Sequence, residues 1–334
     1  MNAKTFALRR LLPLPVVLLG VTVLVFVISH VVPSDPVAVA LGDQATPEQR
    51  QAMREALGLD ASLPVQFLRY LGDLFQGDLG TSLVTKRPVA FDLGQAVPAS
   101  IELTTVAILF AVVVGVPLGV AGAVFVNRWP DYLSRVVALV GVSLERAWVA
   151  VLLQLVIATA LGFPIIGRIS GPPPPKVTGL YLVDSLVAGD LGAFGSAWRH
   201  IALPAFALSL GALAQIARVA RSRMLEERSK EYIRANRAQG LRGRVITFKY
   251  MLRNALPVTV TVTGLSYGAL LGNAFLVETV FGWPGLGQYG VQAILNNDLP
   301  AIAGVTLVLG VVFVVVNTLV DVLYAYIDPR VRFS

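Results

Sequence analysis

The residues best suited to covalent chemistry are Ser266 and His200. Ser266 is the serine of G-L-S-Y-G at 264–268, which fits the G-x-S-x-G pattern of a serine nucleophile, and His200 is an available base. That pattern requires a sharp turn between a strand and a helix. Here it lies midway through a long apolar stretch, where small residues let helices approach closely. Helix packing is therefore the favoured interpretation, and a membrane serine hydrolase is an alternative.

Metal and phosphate chemistry have little support in the sequence. There is no cysteine, and His30 and His200 are the two histidines, which leaves little material for a metal site. The G-x-G-x-x-G match at 285–290 follows W-P and not a strand, so it favours a turn over a dinucleotide site. No G-x-x-x-x-G-K-[ST] occurs. The sequence predicts no catalytic residue and no cofactor in this chain, so any ATP used is bound by a partner.

Charged residues within apolar stretches are the next candidates, because each costs about 2.5–3.5 kcal/mol at the bilayer centre. Glu102 and Glu278 lie near the outer ends of such stretches, and Asp321 lies near an inner end. Glu145 and Arg146 are predicted to lie about 18 Å into the third stretch at 1.5 Å per residue. Neighbours in a helix point about 100° apart and do not pair face to face. Pairing with another helix, contact with a charged substrate and a shifted depth are the three open interpretations.

Hydrophobic stretches define the elements that must position these residues. Of the 334 residues, 55% are hydrophobic and 14% are charged, against about 25% charged in soluble domains. Crossing a hydrocarbon core of roughly 30 Å takes about 20 apolar residues. Six stretches qualify: 11–32, 99–126, 133–161, 201–220, 258–280 and 301–327. We predict an all-α integral membrane protein with six transmembrane helices. The first stretch is interpreted as a retained span, since no A-x-A cleavage site follows it.

Charge bias orients these spans, because short cytoplasmic loops collect Lys and Arg. The segment 218–253 has eleven basic residues and three Glu, whereas the loop 33–98 has more acids than bases. Both termini are therefore predicted to be cytoplasmic. The predicted domains are the N-terminus with the first span, an external loop subdomain, and a permease core of five spans with a cytoplasmic loop at 218–257; they cover 1–32, 33–98 and 99–334.

The stretch E-Y-I-R-A-N-R-A-Q-G-L-R-G-R at 231–244 is basic within an apolar chain. It contains no recognised nucleic-acid module, and no nucleic-acid partner is predicted. Tyr232 and Ile233 are its only large apolar residues before Gly240, so attraction to anionic lipid is a partial account. We predict a surface helix over 231–239 that ends at Gly240, then a helix over 245–255 ended by Pro257. That shape suits docking to a cytoplasmic partner.

Several motifs together resemble one family along nearly the whole chain. They are G-D-L-G-T-S at 77–82, H-I-A-L-P at 200–204, R-S-R-M-L-E at 221–226, E-Y-I-R-A-N-R-A-Q-G-L at 231–241, L-R-N-A-L-P at 252–257, V-E-T-V-F-G-W-P-G-L-G at 277–287 and N-T-L-V-D-V-L-Y-A-Y-I-D-P-R at 317–330. The sequence resembles the B-type inner-membrane permeases of bacterial ABC importers for dipeptides and oligopeptides, within the peptide and nickel branch.

This resemblance implies a type I importer transmembrane domain in the bacterial inner membrane that forms half of a pathway for peptides. It implies a second permease subunit, two ATPase subunits that use ATP and Mg, and an external solute-binding protein. The implied ATPase-coupling residues are Glu231, Arg234, Ala235, Ala238 and Gly240. The candidate pathway residues are Glu145, Arg146, Ser266, Asn273 and Glu278.

The third span departs from the family pattern. Relatives usually carry an uncharged S-I-P-x-F-W run, whereas this chain has S-L-E-R-A-W at 143–148. The departure leaves the packing of this span and the substrate open. Nickel chelates, glutathione and haem are alternative substrates within the family, and an ion-coupled secondary transporter is an alternative from another class.

Overall fold

The structure is a computed structural model that describes residues 14–31, 46–56 and 61–327. Within these segments the chain is built of helices, apart from an isolated β-bridge between Thr81 and Pro88. Helices satisfy their backbone hydrogen bonds internally, which long runs of Leu, Val and Ala require in an apolar surrounding. The predicted all-α class is confirmed.

The helices are numbered here in chain order. They are α1 (Leu14–Val31), α2 (Pro47–Ala56), α3 (Leu63–Phe75), α4 (Val89–Val124), α5 (Trp129–Ser143), α6 (Arg146–Leu161, with a π-helical turn at Leu153–Ala158), α7 (Tyr181–Val187), α8 (Leu191–Ser229), α9 (Glu231–Ala238), α10 (Gly243–Asn273, with a π-helical turn at Ile246–Leu252), α11 (Phe275–Val280), α12 (Leu286–Leu295) and α13 (Leu299–Ile327).

The centre of the fold is the pair of long helices α4 and α8, which pack along much of their length. Glycine makes this close approach possible. A Cβ added at Gly119 would lie 2.5 Å from the backbone oxygen of Ala217, and one at Gly115 would lie 3.0 Å from that of Leu213. Small residues at such contacts let backbones meet and gain dispersion energy without a hydrophobic driving force. Helices α5 and α10 then pack against α8.

Four described helices are long and apolar enough to cross a membrane, or five if the bent pair α5 and α6 forms one span. The four are α4, α8, α10 and α13. The 18-residue apolar helix α1 packs against α13. Six spans for the whole chain remains a prediction.

The third predicted span is not the continuous helix expected over 133–161. Helices α5 and α6 meet at a bend of 102°. Leu144 and Glu145 between them have extended backbone, with ψ of 127° and 129°. The expectation that Glu145 and Arg146 lie inside one straight helix is therefore wrong. The break places both at the start of a new helix beside a cavity, whereas a continuous helix would enclose them in the apolar layer.

The helix expected to end at Pro257 continues through it. Helix α10 runs from Gly243 to Asn273 with Pro257 inside it. A proline removes one backbone donor and disturbs the turn before it, and the π-helical turn Ile246–Leu252 lies just ahead. The chain then breaks at Ala274, so α11 is separate from α10 and the stretch 258–280 is two helices.

Two further boundaries differ from the sequence analysis because helices extend beyond their apolar runs. Helix α4 begins at Val89, inside the range 33–98, and α8 covers Leu191–Ser229 rather than 201–220. The charged ends of α8 lie outside an apolar layer of roughly 30 Å. The terminal segments 1–13 and 328–334, on which the predicted orientation partly depends, lie outside the described residues.

Candidate functional site

A polar cavity of about 360 Å³ lies at the break between α5 and α6. It brings together three of the predicted pathway residues, Glu145, Arg146 and Ser266. Gln215 and Arg218 of α8 complete its polar lining. These two were not among the predicted pathway residues. The sequence does point to them, because Gln215 and Arg218 are polar residues within the apolar stretch 201–220.

The charges of this cavity have no partners among the residues that the structure describes. Glu145, Arg146 and Arg218 form none of the ion pairs there. Arg146 instead lies along Gly211, where an added Cβ would meet its Nη2 at 3.2 Å. Pairing with another helix of the described chain is therefore not what holds these residues. The cavity therefore contains two guanidinium groups and one carboxylate that form no ion pair within the described chain.

Ser266 lacks the surroundings of a nucleophile. Its hydroxyl donates to the backbone oxygen of Val262 at 2.7 Å, as serine does inside a helix. His200 lies elsewhere, with Nε2 3.2 Å from the hydroxyl of Ser170 and Nδ1 2.8 Å from the backbone oxygen of Ser196. Helix α10 continues through Ser266 without the turn that a nucleophile elbow requires. The geometry favours helix packing over hydrolysis.

Asn273 and Glu278 lie outside this cavity. Asn273 is the last residue of α10, and its amide donates to the backbone oxygen of Ala269, which lines the cavity. Asn273 is exposed and lies one turn after Ala269 on the same helix. Glu278 is fully buried on α11.

Glu278 holds the start of α12. Its carboxylate accepts hydrogen bonds from the hydroxyl of Ser100 at 2.5 Å and from the backbone N–H groups of Gly287 at 2.7 Å and Gln288 at 3.1 Å. A carboxylate at a helix N-terminus is stabilised by the unpaired N–H groups there. This contact set, which we name the Glu278 clasp, explains the burial of Glu278.

The glycines of 285–290 serve the same clasp. A Cβ at Gly285 would lie 2.5 Å from Glu278 Oε2, and one at Gly287 would lie 2.3 Å from the Cα of Phe275. The indole N–H of buried Trp283 donates to the backbone oxygen of Ala99 at 2.9 Å. The G-x-G-x-x-G match is therefore a turn that leads into a helix, and it holds α11, α12 and α4 together.

A buried ion pair beside the clasp was missed by the sequence analysis. Arg168 Nη2 lies 2.5 Å from Glu102 Oε2, and both side chains are buried. The guanidinium of Arg168 also stacks 3.8 Å from the ring centroid of Tyr181. Because 66 residues separate the two charges, no local pattern identifies the pair. It ties the loop after α6 to α4.

Helix α9 is the predicted ATPase-coupling segment, and one side of it is anchored. Ile233 is fully buried in a cluster with Met224 of α8 and Met251 of α10. The hydroxyl of Tyr232 donates to Glu227 at 2.5 Å and accepts from the amide of Asn254 at 3.1 Å. Contacts with both neighbouring helices thus fix the orientation of α9.

The opposite side of α9 is exposed. All five predicted coupling residues lie on exposed positions: Glu231, Arg234, Ala235, Ala238 and Gly240. Gly240 has φ of +76°, a left-handed conformation that favours glycine. The hydrogen bond to Glu227 raises the pKa of the Lys230 ammonium above its ordinary value. The structure presents this face to solvent without a covering segment from the described chain.

The fold and these sites define a class of membrane transport subunit. The family model for the binding-protein-dependent transport system inner membrane component matches residues 115–333, and the model for the N-terminal part of such membrane components matches residues 3–104. The chain belongs to this family.

Individual relatives cover almost the full length. The chain is 43% identical to the dipeptide transport system permease protein DppB of Alkalihalophilus pseudofirmus, over 98% of this chain and 99% of that protein. It is 44% identical to the probable D,D-dipeptide transport system permease protein DdpB of Escherichia coli, over 97% and 96%. It is 36% identical to the glutathione transport system permease protein GsiC of Salmonella paratyphi A, over 98% and 99%.

Among solved structures, a chain of the inward-facing MetNI methionine ABC transporter matches with a TM-score of 0.55. The match covers 71% of this chain and 97% of that one at 20% identity. It concerns the fold, and it confirms the predicted type I importer architecture.

Proposed function

We propose that the chain is a permease subunit of an ATP-driven importer and forms half of a pathway for short peptides. The observation that carries this proposal is the polar cavity with its unpaired Glu145, Arg146 and Arg218, set among membrane-crossing helices. The dipeptide permeases among its full-length relatives support the choice of substrate. A short peptide at neutral pH carries an ammonium and a carboxylate, which complement the two signs of charge in the cavity.

Each charged group then has a role in binding. The guanidinium groups of Arg146 and Arg218 hold the peptide carboxylate, since guanidinium matches carboxylate geometry with paired donors. The carboxylate of Glu145 accepts from the peptide ammonium. Ser266 leaves room in the cavity because its side chain is small. Asn273 lies further along α10 towards the Glu278 clasp, and Glu278 keeps the fold around the pathway in place.

The driving force is supplied by partners. Helix α9 docks on an ATPase subunit through the exposed face that contains Glu231, Arg234 and Ala235, while its buried face passes the movement to α8 and α10. Family membership supports a second permease, two ATPases that bind ATP and Mg, and an external solute-binding protein. The basic character of 218–253 supports a cytoplasmic position for α9 in the bacterial inner membrane, with both termini on that side.

Substrate variants test the cavity. In membrane vesicles with the assembled transporter, Arg146→Gln is expected to raise the KM for a dipeptide by roughly ten- to a hundredfold, since a hydrogen bond to a charged group contributes about 1.5–3 kcal/mol. A dipeptide amide lacks the carboxylate, so its KM is expected to be nearly the same in Arg146→Gln as in wild type. Glu145→Gln is expected to raise the KM for a free dipeptide. The KM for an N-acetylated dipeptide, which lacks the ammonium, is expected to stay nearly unchanged.

A charge-matched control separates binding from general damage. Arg69 is exposed on α3, outside the cavity, and Arg69→Gln is expected to leave both KM values unchanged. Equal losses for dipeptide and dipeptide amide in Arg146→Gln would contradict the assigned role.

Glutathione is the second candidate substrate, favoured by the similarity to GsiC. Glutathione carries two carboxylates and one ammonium, which also fits two arginines and one glutamate. Competition in the same vesicles distinguishes the two. Unlabelled dipeptide and unlabelled glutathione are each added at the same concentration to a labelled dipeptide, and the one that inhibits its uptake more strongly is the preferred substrate.

A further inference from the structure

A second cavity lies between the C-terminal part of α4 and the start of α10. It is a groove of about 540 Å³ whose walls are mainly aliphatic, with Val116 and Val120 on α4 and Ile246 and Met251 on α10. None of these wall residues lines the polar cavity at the break between α5 and α6. The exposed rings of Phe125 and Phe248 flank its rim. This groove offers an apolar surface that the described chain leaves uncovered.

The groove also has a strongly basic part to its lining. Arg228, Arg237 and Arg244 line it, and its lining contains no acidic residue. Arg228 donates to the backbone oxygen of Ala123 at 3.1 Å. Neither Arg237 nor Arg244 is part of an ion pair within the segments that the structure describes. The groove therefore combines aliphatic walls with three arginines.

The depth of the groove decides what can fill it. Its wall on α4 extends from Val116 to Val124, about 12 Å at 1.5 Å per residue. That part of α4 belongs to a helix that is long and apolar enough to cross a membrane. An occupant of the whole groove needs apolar chains against its aliphatic walls and a negative charge against its arginines.

We propose that this groove binds an anionic phospholipid, with the phosphate at Arg228, Arg237 and Arg244 and an acyl chain along the wall of α4. Basic pockets between transmembrane helices at a membrane surface bind such head groups. The charge complementarity holds whichever substrate the transporter carries. Its assignment to the cytoplasmic leaflet depends on the proposed orientation of α9. Because Arg237 belongs to α9, a bound lipid also holds the coupling helix against the membrane.

Native mass spectrometry of the purified, assembled transporter tests this binding. The transporter is supplied with equal amounts of phosphatidylglycerol and phosphatidylcholine that have the same acyl chains. Wild type is expected to retain phosphatidylglycerol preferentially. Arg244→Gln is expected to lower that retention roughly fivefold, which is the contribution of one arginine to binding at an anionic surface. Retention of phosphatidylcholine is expected to stay unchanged.

Arg242 provides a matched control, because it lies two residues from Arg244, is exposed and does not line the groove. Arg242→Gln is expected to retain phosphatidylglycerol as wild type does. Equal retention of the two lipids, or equal losses in both variants, would overturn the proposal. A photoreactive residue in place of Thr247, on the groove wall, gives a second readout: crosslinks to lipid support it, and crosslinks to an ATPase or second permease alone refute it.

Discussion

At the residue scale, the Glu278 clasp shows how a motif that resembles a ligand site serves the fold. The glycines of 285–290 match a dinucleotide motif, and Glu278 is a charged residue near the end of an apolar stretch. Together they form hydrogen bonds of 2.5–3.1 Å that join α4, α11 and α12. Every oxygen of the carboxylate is occupied by a donor of this chain. We therefore expect substitutions here to act on stability before they act on transport.

Removing the Glu278 carboxylate is the first test at this scale. Glu278→Ala leaves the Ser100 hydroxyl and the N–H groups of Gly287 and Gln288 without their acceptor. Each buried unsatisfied group costs about 1–3 kcal/mol, so a loss of roughly 3 kcal/mol or more is expected.

Glu278→Gln is the matched variant, because its amide oxygen still accepts from the helix. Thermal unfolding of the purified transporter is expected to order the proteins as wild type, then Gln, then Ala, with the lowest Tm for Ala. Similar Tm values for all three would show that the clasp is not a stabilising contact.

Single residues differ in how far the sequence identifies their role. Gly240 was predicted to end a helix, and its φ of +76° agrees with that expectation. The break at Glu145 was missed because neither proline nor glycine marks it. The Arg168–Glu102 pair was missed because its members are distant along the chain and meet through tertiary packing alone.

At the element scale, the contact between α4 and α8 depends on glycines, whose lack of a side chain lets the two backbones approach. Gly119→Ala places a Cβ 2.5 Å from the backbone oxygen of Ala217. Overpacking of this kind typically costs 1–3 kcal/mol, so a lower Tm is expected. Gly94→Ala on the same helix meets nothing within 4 Å, and its Tm is expected to equal or exceed that of wild type. A Gly119→Ala protein as stable as Gly94→Ala would contradict this close packing.

The turn after α9 is the second test at the element scale. Gly240→Val forces a β-branched residue into the left-handed region, at a cost of about 1–2 kcal/mol or more. The coupling helix then ends differently, and we expect ATP hydrolysis to lose its dependence on substrate while uptake falls.

Gly195→Val on α8 is the control for that test, since Gly195 has no positive φ, has open space around an added Cβ and lines neither cavity. ATPase activity and peptide uptake are measured on the same vesicles. If Gly240→Val kept both rates coupled as in the control, α9 would not transmit the ATPase stroke.

The elements themselves were largely predictable, and their ends were not. Hydrophobic runs located the long helices because a membrane-crossing helix must be apolar. Helices α4 and α8 exceed those runs, and α10 continues through Pro257, because tertiary contacts and π-helical turns decide where a helix stops. The bend of 102° between α5 and α6 lies inside one hydrophobic run, so the run alone did not predict it.

At the scale of the whole molecule, the polar cavity and the exposed face of α9 lie in separate places. A polar cavity with unpaired charges lies among the crossing helices, and an anchored helix with an exposed face lies at the end of α8. Helices α8 and α10 connect them, since both line the cavity and both contact α9. Under the proposed function, these two helices carry a movement at α9 to the cavity.

The most direct test of this account is uptake of a labelled dipeptide into vesicles that contain the assembled transporter, its binding protein and internal ATP. We expect uptake that requires this chain, stops when the ATPase subunits cannot hydrolyse ATP, and shows a raised KM in Arg146→Gln. Uptake that persists with inactive ATPase subunits and follows an ion gradient would contradict it.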